Sequence, residues 1–557
     1  MKYIRSQGVI FLFLLGVSLL PLVSMFLPGF PVTHDGQDHV VRIANFYQSL
    51  TEGNIIPRWA GNLNWGYGHP ILMFLYPFPS YIASFFHTIG FSLVDATKGV
   101  FVIAFICSIC SMYIWMQAVW GKKVGLLGAI LYGFAPYRFV DLYVRGAIGE
   151  HMAFIFPPLI CFFVFKLATD FKFRISNFKF GLGFSISLAL FILSHNAISL
   201  MFLPVIGFYV LYLYYFEAKK SFSFLLTIFY FFLLGFGLSA FFWVPAFFEG
   251  KYTLRDIVTS GEAMDRFVPW NWFFYSPWNY GGTALLTKSI GYIQWFCITC
   301  SLLVLWKLKE YKQKIILFGS LLVFIGSLWI MTSMSGFIWE RVTILQNFQF
   351  PWRFLSVSTF LAAVIGSVSL VYSISNLSIP RKNVFFVGVC LLSVFLTYSM
   401  WHPKEYVIHD DSFYSRVYPG TTDTGESSPI WSVRFMEHTP ANLMEVIDGD
   451  AVITVGKRTS TKHEYTVVAQ KQTRMVENTL FFPGWKIFVD GVSAGIQFQD
   501  PAFRGLMTFW MDEGKHQVLV TFTDTKVRYY ASVTSLISLG ILILTSIPLL
   551  FLCKRKK

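Results

Sequence analysis

The sequence predicts a polytopic α-helical membrane protein of about twelve transmembrane helices, with an exported β-sandwich-like domain ahead of the last one. Three observations carry this reading. The 557 residues are 55% hydrophobic and only 13% charged, too apolar for a soluble chain of this length. Apolar runs of about 17–25 residues recur, each long enough as a helix to cross about 30 Å of hydrocarbon. Between residues 402 and 528 the apolar runs shorten to strand length and turn signals appear. The net charge of +14 gathers in short gaps between apolar runs: Lys2/Arg5, Lys122/Lys123, Lys166 to Lys179, Lys219/Lys220, Lys307 to Lys314, Arg381/Lys382 and Lys554 to Lys557. Such gaps are cytoplasmic loops under the positive-inside rule, so the excess reads as membrane topology and excludes nucleic acid as its cause.

Residues 1–401 form the expected membrane domain. The first apolar run, 8–26, follows Lys2 and Arg5 without a small-residue cleavage site, and is read as a span leading outward. The first exported loop, 27–97, opens on a polar island from Thr33 to His39. From Gln37 the pattern is helical, with Val40, Ile43, Ala44 and Tyr47 at spacings of three and four. Gly53 is the expected stop. This helix is expected to lie along the outer membrane surface. Pro70, Pro77 and Pro79 interrupt the next apolar stretch, and the parity of basic loops makes 69–90 re-entrant or interfacial. Further spans are expected near 99–119, 124–140, 148–166, 180–195, 197–217, 222–247, 290–306, 314–331, 353–375 and 383–401. They leave 136–150, 194–196, an aromatic loop at 248–288 and 341–353 outside.

Residues 402–528 read as the exported β-rich domain. "HQVLVTF" alternates, with Val518, Val520 and Phe522 on one face, and "WKIFVDG" reads as a strand ending in a tight turn at Asp490-Gly491. Residues 529–557 give a last span and a basic tail, so both termini are expected in the cytoplasm of a bacterial plasma membrane. Seven cysteines (107, 110, 161, 297, 300, 390, 553) all lie in or beside apolar runs. The two CxxC pairs therefore read as small buried hydrophobes.

The ionisable groups that topology leaves unexplained fall on the outer side: Asp35, Asp38, His39, Arg42, Asp141, Arg145, Glu150, His151, His195, Lys288 and Arg353. A charged belt at one face is the rim of a polar cavity. Each has a plainer local reading. Asp35 stands where a helix N-cap would; Asp38 and Arg42 are spaced as a surface ion pair; Glu150 suits a helix N-terminus. No phosphate-binding glycine loop, HExxH or nucleophile elbow is present.

Longer motifs narrow the choice. Thr33, Asp35, His39 and Arg42 stand in the order T-x-D-x-x-x-H-x-x-R. Then come "PRW" at 57–59, "GYGHP" at 66–70, "APYRFVDLYVRGAIGE" at 135–150, "LSHN" at 193–196, "SAFFWVPAFFE" at 239–249, "YSPWNYGG" at 275–282, "FQFPWRFL" at 348–355 and "FFPGWKIFVDG" at 481–491. In this order they resemble bacterial GT-C-type membrane glycosyltransferases, in the group labelled 6-pyruvoyl-tetrahydropterin synthase-related; the last also resembles the exported C-terminal domain of YfhO-type proteins. Pterin chemistry itself is not expected, because the chain has no cluster of histidines for a soluble zinc site.

The resemblance implies transfer of a sugar from a polyprenyl-phosphate donor to a cell-surface glycan, lipid or polymer acceptor at the outer face. In that reading Asp35 is the catalytic base and Glu150 the second catalytic acid, with Asp141 its competitor in the same loop. Asp38, His39, Arg42, Tyr137, Arg138, Asp141, Arg145, His195, Lys288 and Arg353 are the expected substrate-binding groups. No cofactor is certain; Asp35 and His39 are the pair expected to hold a divalent cation, Mg or Mn, if one is needed. One base and several cations suffice for inversion at the anomeric carbon, since the phosphate leaving group needs charge stabilisation more than acid. Trp65, Tyr67, Trp278 and Tyr280 are candidates for stacking on sugar rings, although interfacial belts also collect Trp and Tyr. Two other function classes stand beside it: a lipid-linked glycan transporter, which calls for ionisable groups near mid-bilayer, and a noncatalytic glycan-binding scaffold.

Overall fold

A computed structural model of the chain describes residues 2–169, 178–259, 261, 263–281 and 286–554, with 2–6 and 548–554 described by backbone alone. Part of the basic gap between Lys166 and Lys179, part of the aromatic loop including Gly282, and the basic tail at 555–557 lie outside the described residues.

The chain is a polytopic helical membrane protein with a β domain. Among the described residues eight helices are long and apolar enough to cross a bilayer: Gln7–Phe26, Leu93–Trp120, Ile148–Thr169, Asn196–Phe216, Tyr311–Trp329, Pro351–Ser373, Ile379–Met400 and Lys526–Ile547. A ninth crossing is available from Phe222–Leu238 and Ala240–Phe248, bent by 73°. The bend falls at Ser239, whose hydroxyl bonds back to the carbonyl of Gly235 (3.2 Å), in a stretch of small residues that favours kinking. The remaining expected spans are helical but short: Lys122–Gly133, Phe178–Ser194 and Tyr292–Lys307. Twelve expected spans therefore correspond to eight full-length helices, one bent pair and three short helices. The stretch 69–90 breaks at Pro77 into Ile71–Phe74 and Phe78–Thr88. The longer piece has 11 residues, about 16 Å at helical rise, too short to cross.

Strand β1 (Phe30–Pro31) pairs with β2 (Tyr406–Val407), bringing the chain after Ile379–Met400 against the start of the polar island. Eight further strands follow: β3 (Met444–Asp448), β4 (Ala451–Arg458), β5 (Lys462–Ala469), β6 (Thr473–Leu480), β7 (Trp485–Val489), β8 (Val492–Ala494), β9 (Leu506–Met511) and β10 (Gly514–Phe522). They form two antiparallel sheets, ordered β4-β5-β10-β7-β8 and β3-β6-β9. Tyr465, Val467, Met475, Ile487, Phe509, Val518 and Val520 are buried in one core cluster. Alternation supplies these inward faces. Asp490 and Gly491 both have positive φ, the geometry of the type I′ hairpin turn their sequence predicts. Residues 402–443 are largely irregular and run back over the end of the helical body.

The first loop is built into the β domain. Trp59, Tyr67 and Met73 belong to its core cluster, and Trp59 packs edge-on against Trp485 at 5.4 Å. Beneath lies a clasp of charges, of which Arg58, Glu249 and Arg528 are buried. Glu249 accepts from Arg528 Nε (2.7 Å), Arg528 also donates to the Pro483 carbonyl (2.6 Å), and Arg58 meets Asp524 at 3.3 Å. The motifs "PRW", "SAFFWVPAFFE" and "FFPGW" thus meet at the root of the last helix.

Candidate active site

The island at 33–39 is held by its backbone. His34 N–H donates to the Val144 carbonyl (3.0 Å) and Asp35 N–H to the Arg145 carbonyl (2.8 Å). Two glycines permit this approach. Gly36 begins the helix Gly36–Thr51 and Gly146, at φ +67°, ends the π-helical turn Val140–Arg145; a Cβ at either would run into the Thr33 hydroxyl. Asp35 occupies the N-cap position, yet its carboxylate makes no cap bond. Thr33 does that work instead, its hydroxyl accepting from Gly36 N–H at 3.1 Å. The Asp35 side chain is left exposed.

Asp38, half-buried one turn on, accepts from the Tyr418 hydroxyl at 3.3 Å. Burial raises its carboxyl pKa; Arg42 opposes the shift and Asp35 adds to it. His39 is buried, and its Nδ1 accepts from Arg42 Nη1 at 3.2 Å. Burial, then the cations Arg42 and Arg145, push its imidazole well below the ordinary range, so it is neutral. Of the His39 ring nitrogens, Nδ1 is engaged by Arg42, while the buried Nε2 has no hydrogen-bond partner among the described residues. No cluster of three or more His, Cys, Asp or Glu suited to a metal occurs among the described residues.

Behind the island is a second, closed cluster. The Arg145 guanidinium pairs with Asp141 and with Glu150 (2.6 Å), donates to the Tyr137 hydroxyl (3.3 Å) and lies over the Trp352 ring at 4.5 Å. Tyr137 donates to the other Glu150 oxygen at 2.6 Å. Asp141 and Glu150 are fully buried. Burial, and then Glu150, push the Asp141 carboxyl up.

Arg353 donates to the Phe348 carbonyl (2.8 Å) and stacks over Phe350 at 4.7 Å. Tyr76, which the sequence reading did not single out, ties the two clusters together. Burial pushes its hydroxyl up to about 12, and Arg42, Asp35, Arg353 and Arg145 all act on it electrostatically. Its ring stacks on His195 at 4.8 Å.

The remaining expected residues are placed differently. His195 caps the helix Asn196–Phe216, its Nδ1 accepting from Ile198 N–H at 3.3 Å. Arg138 is buried among the rings of Phe105, Tyr132 and Phe154 and donates to Ser108 (2.6 Å), inside the helical core and away from the island. Lys288 lies 4.7 Å over Trp272, burial pushing its ammonium down to about 8. Of the stacking candidates, Tyr67 is in the β-domain core, while Tyr280 reaches the island through its carbonyl, 3.4 Å from His34 Nε2.

The segment 418–428, "YPGTTDTGESS", closes over the site. Thr422 Oγ1 accepts from Arg42 Nε at 3.0 Å. Glu426 accepts from Gln349 Nε2 at 3.2 Å. Asp423 faces His69 at 3.5 Å and accepts from Gly425 and Ser427 N–H. Burial pushes the Asp423 carboxyl up, but His69 and these hydrogen bonds win and hold it well below the usual carboxylate range. The only sequence signal for this lid was its density of turn-forming Gly, Thr, Ser and Asp.

No family model matches the chain. An uncharacterized protein of Lactococcus lactis subsp. cremoris (strain MG1363) is 22% identical over 273 residues, 47% of this chain and 42% of that protein. Among solved structures, the apo oligosaccharyltransferase of Archaeoglobus fulgidus matches at TM-score 0.43 and 14% identity, covering 76% of this chain and 61% of that one. The mycobacterial arabinofuranosyltransferase AftD matches at 0.45 and 11%, covering 71% and 28%. ArnT of Cupriavidus metallidurans matches at 0.34 and 13%, covering 74% and 68%. The chain thus spans less than two thirds of the first two structures. Likeness of this degree leaves the chemistry to be read from the residues.

Proposed function

We propose that the chain is a GT-C-type membrane glycosyltransferase that moves a sugar from a polyprenyl-phosphate donor to a cell-surface acceptor at the outer face of a bacterial plasma membrane. The observation that carries the reading is an exposed Asp35 carboxylate anchored by its backbone to the Arg145 carbonyl, with Arg42 two turns further along the helix that Asp35 opens.

Asp35 takes the proton of the acceptor hydroxyl as that oxygen bonds the anomeric carbon. The bond from this carbon to the phosphate oxygen breaks on the opposite side, and the configuration inverts. The departing phosphate carries the electron pair, and the arginines stabilise its charge. Glu150 has both oxygens occupied, so its part is to hold Arg145 in place rather than to meet substrate. Asp38 and Tyr418 steady the helix that presents Asp35 and Arg42. No step is assigned to a metal.

The test is sugar transfer by the purified full chain in detergent from a polyprenyl-phosphate-linked sugar, read as a new glycoside plus released polyprenyl phosphate. Transfer without a sealed compartment separates this reading from a transporter. Full activity in a folded Asp35→Asn protein would sink the role given to Asp35.

A further inference from the structure

Between the first loop and the β domain lies a cavity of about 210 Å³, distinct from the island and lined by Gln48, Asn62, Tyr67, Arg458, His463 and Thr479 among others. Liquid water takes about 30 Å³ per molecule, so the space equals about seven waters, room for one sugar ring.

The charges in its wall cancel. Arg458 pairs with the fully buried Glu477 at 3.1 Å, and the same Glu477 oxygen accepts from Thr479 (3.0 Å) and lies 2.8 Å from His463 Nδ1. With Arg458 and Glu477 paired, the wall has no unbalanced charge that favours an ionic ligand of either sign.

The wall offers both hydrogen-bond donors, the Arg458 guanidinium among them, and acceptors. Asn62 spends both amide protons, on Gln48 Oε1 (2.8 Å) and the Ser415 carbonyl (2.9 Å), which leaves its Oδ1 without a side-chain or backbone donor among the described residues. His463 directs its Nδ1 proton to Glu477. Trp59 and Tyr67 supply apolar wall on one side. An uncharged ligand whose hydroxyls both donate and accept, with an apolar C–H face, matches this wall.

We propose that this cavity is a second sugar-binding site, taking one neutral monosaccharide unit of a glycan at the junction of the two domains. It is independent of the transfer reaction and would stand if that reading failed.

The experiment is saturation-transfer NMR on the full chain in detergent with methyl α-D-glucopyranoside, methyl β-D-galactopyranoside, N-acetylglucosamine and glucuronate. Thr459→Trp, at the half-exposed wall, fills the space, and Asn62→Ala removes an acceptor; thermal unfolding checks that both fold. The expected result is transfer to at least one neutral sugar that persists in Asp35→Asn, weakens about tenfold in Asn62→Ala and is lost in Thr459→Trp. No transfer to any neutral sugar, equal transfer in folded Thr459→Trp and wild type, or stronger transfer to glucuronate than to every neutral probe overturns the proposal.

Discussion

Asp35 and Glu150 sit on adjacent, hydrogen-bonded segments and use the same functional group in opposite ways. Asp35 is exposed, and only its backbone is tied down, to the Arg145 carbonyl. Glu150 is fully buried, with one oxygen on Arg145 and the other on Tyr137. A carboxylate anchored through its main chain keeps its oxygens for a substrate. One whose oxygens are both engaged fixes a neighbour's position.

The comparison is broken or sharpened by substitution. The largest effect expected is on activity: Asp35→Asn should lower transfer by about 10²–10⁴-fold, the range for a general base, with an unchanged melting curve because the side chain makes no cap bond. Sugar transfer and thermal unfolding, measured together, check it. Next, Arg145→Met should cost about 3–5 kcal/mol of stability, because it strands Asp141 and Glu150 in a buried site. A melting shift as small as that of Asp35→Asn would erase the distinction drawn here.

The third prediction is a pH effect. His39 is held neutral in the folded protein, with its pKa well below the ordinary 6.5. The unfolded chain therefore binds this proton first, and the stability His39 contributes is present above pH 6.5 and lost as pH falls toward its folded value. Melting temperature should drop on acidification below 6.5, and His39→Gln should flatten part of that drop. The smallest effect belongs to Tyr418→Phe, which removes one long hydrogen bond to Asp38 at 3.3 Å. It should cost about 0.5–1.5 kcal/mol and leave transfer within about tenfold of wild type.

Periodicity and turn chemistry made the helices and the β domain readable in advance, because apolar runs and Asp-Gly turns act locally. The lengths of Phe178–Ser194 and Tyr292–Lys307 were less readable, since tertiary packing sets where a helix ends. At the site, Asp35 stood out by position, but whether it caps the helix or faces solvent depended on Thr33 taking the cap. The i,i+4 spacing of Asp141 and Arg145 was visible; that both would be buried with Glu150 required the π-helical turn. His195 and Arg138 carry polar side chains whose partners, a helix N-terminus and a ring cage, come from packing. Tyr76, Thr422, Asp423 and Glu426 were missed because their partners lie far away in sequence.

The lid formed by 418–428 has a consequence in time. A chain is made from its N-terminus, so Asp35, Arg42 and Arg145 are synthesised long before Thr422 and Glu426 exist. Until then Arg42 lacks the Thr422 oxygen it bonds in the finished protein, and Gln349 lacks Glu426. A half-synthesised protein therefore presents the Asp35 carboxylate without its finished surroundings, which are complete only when synthesis has passed residue 428.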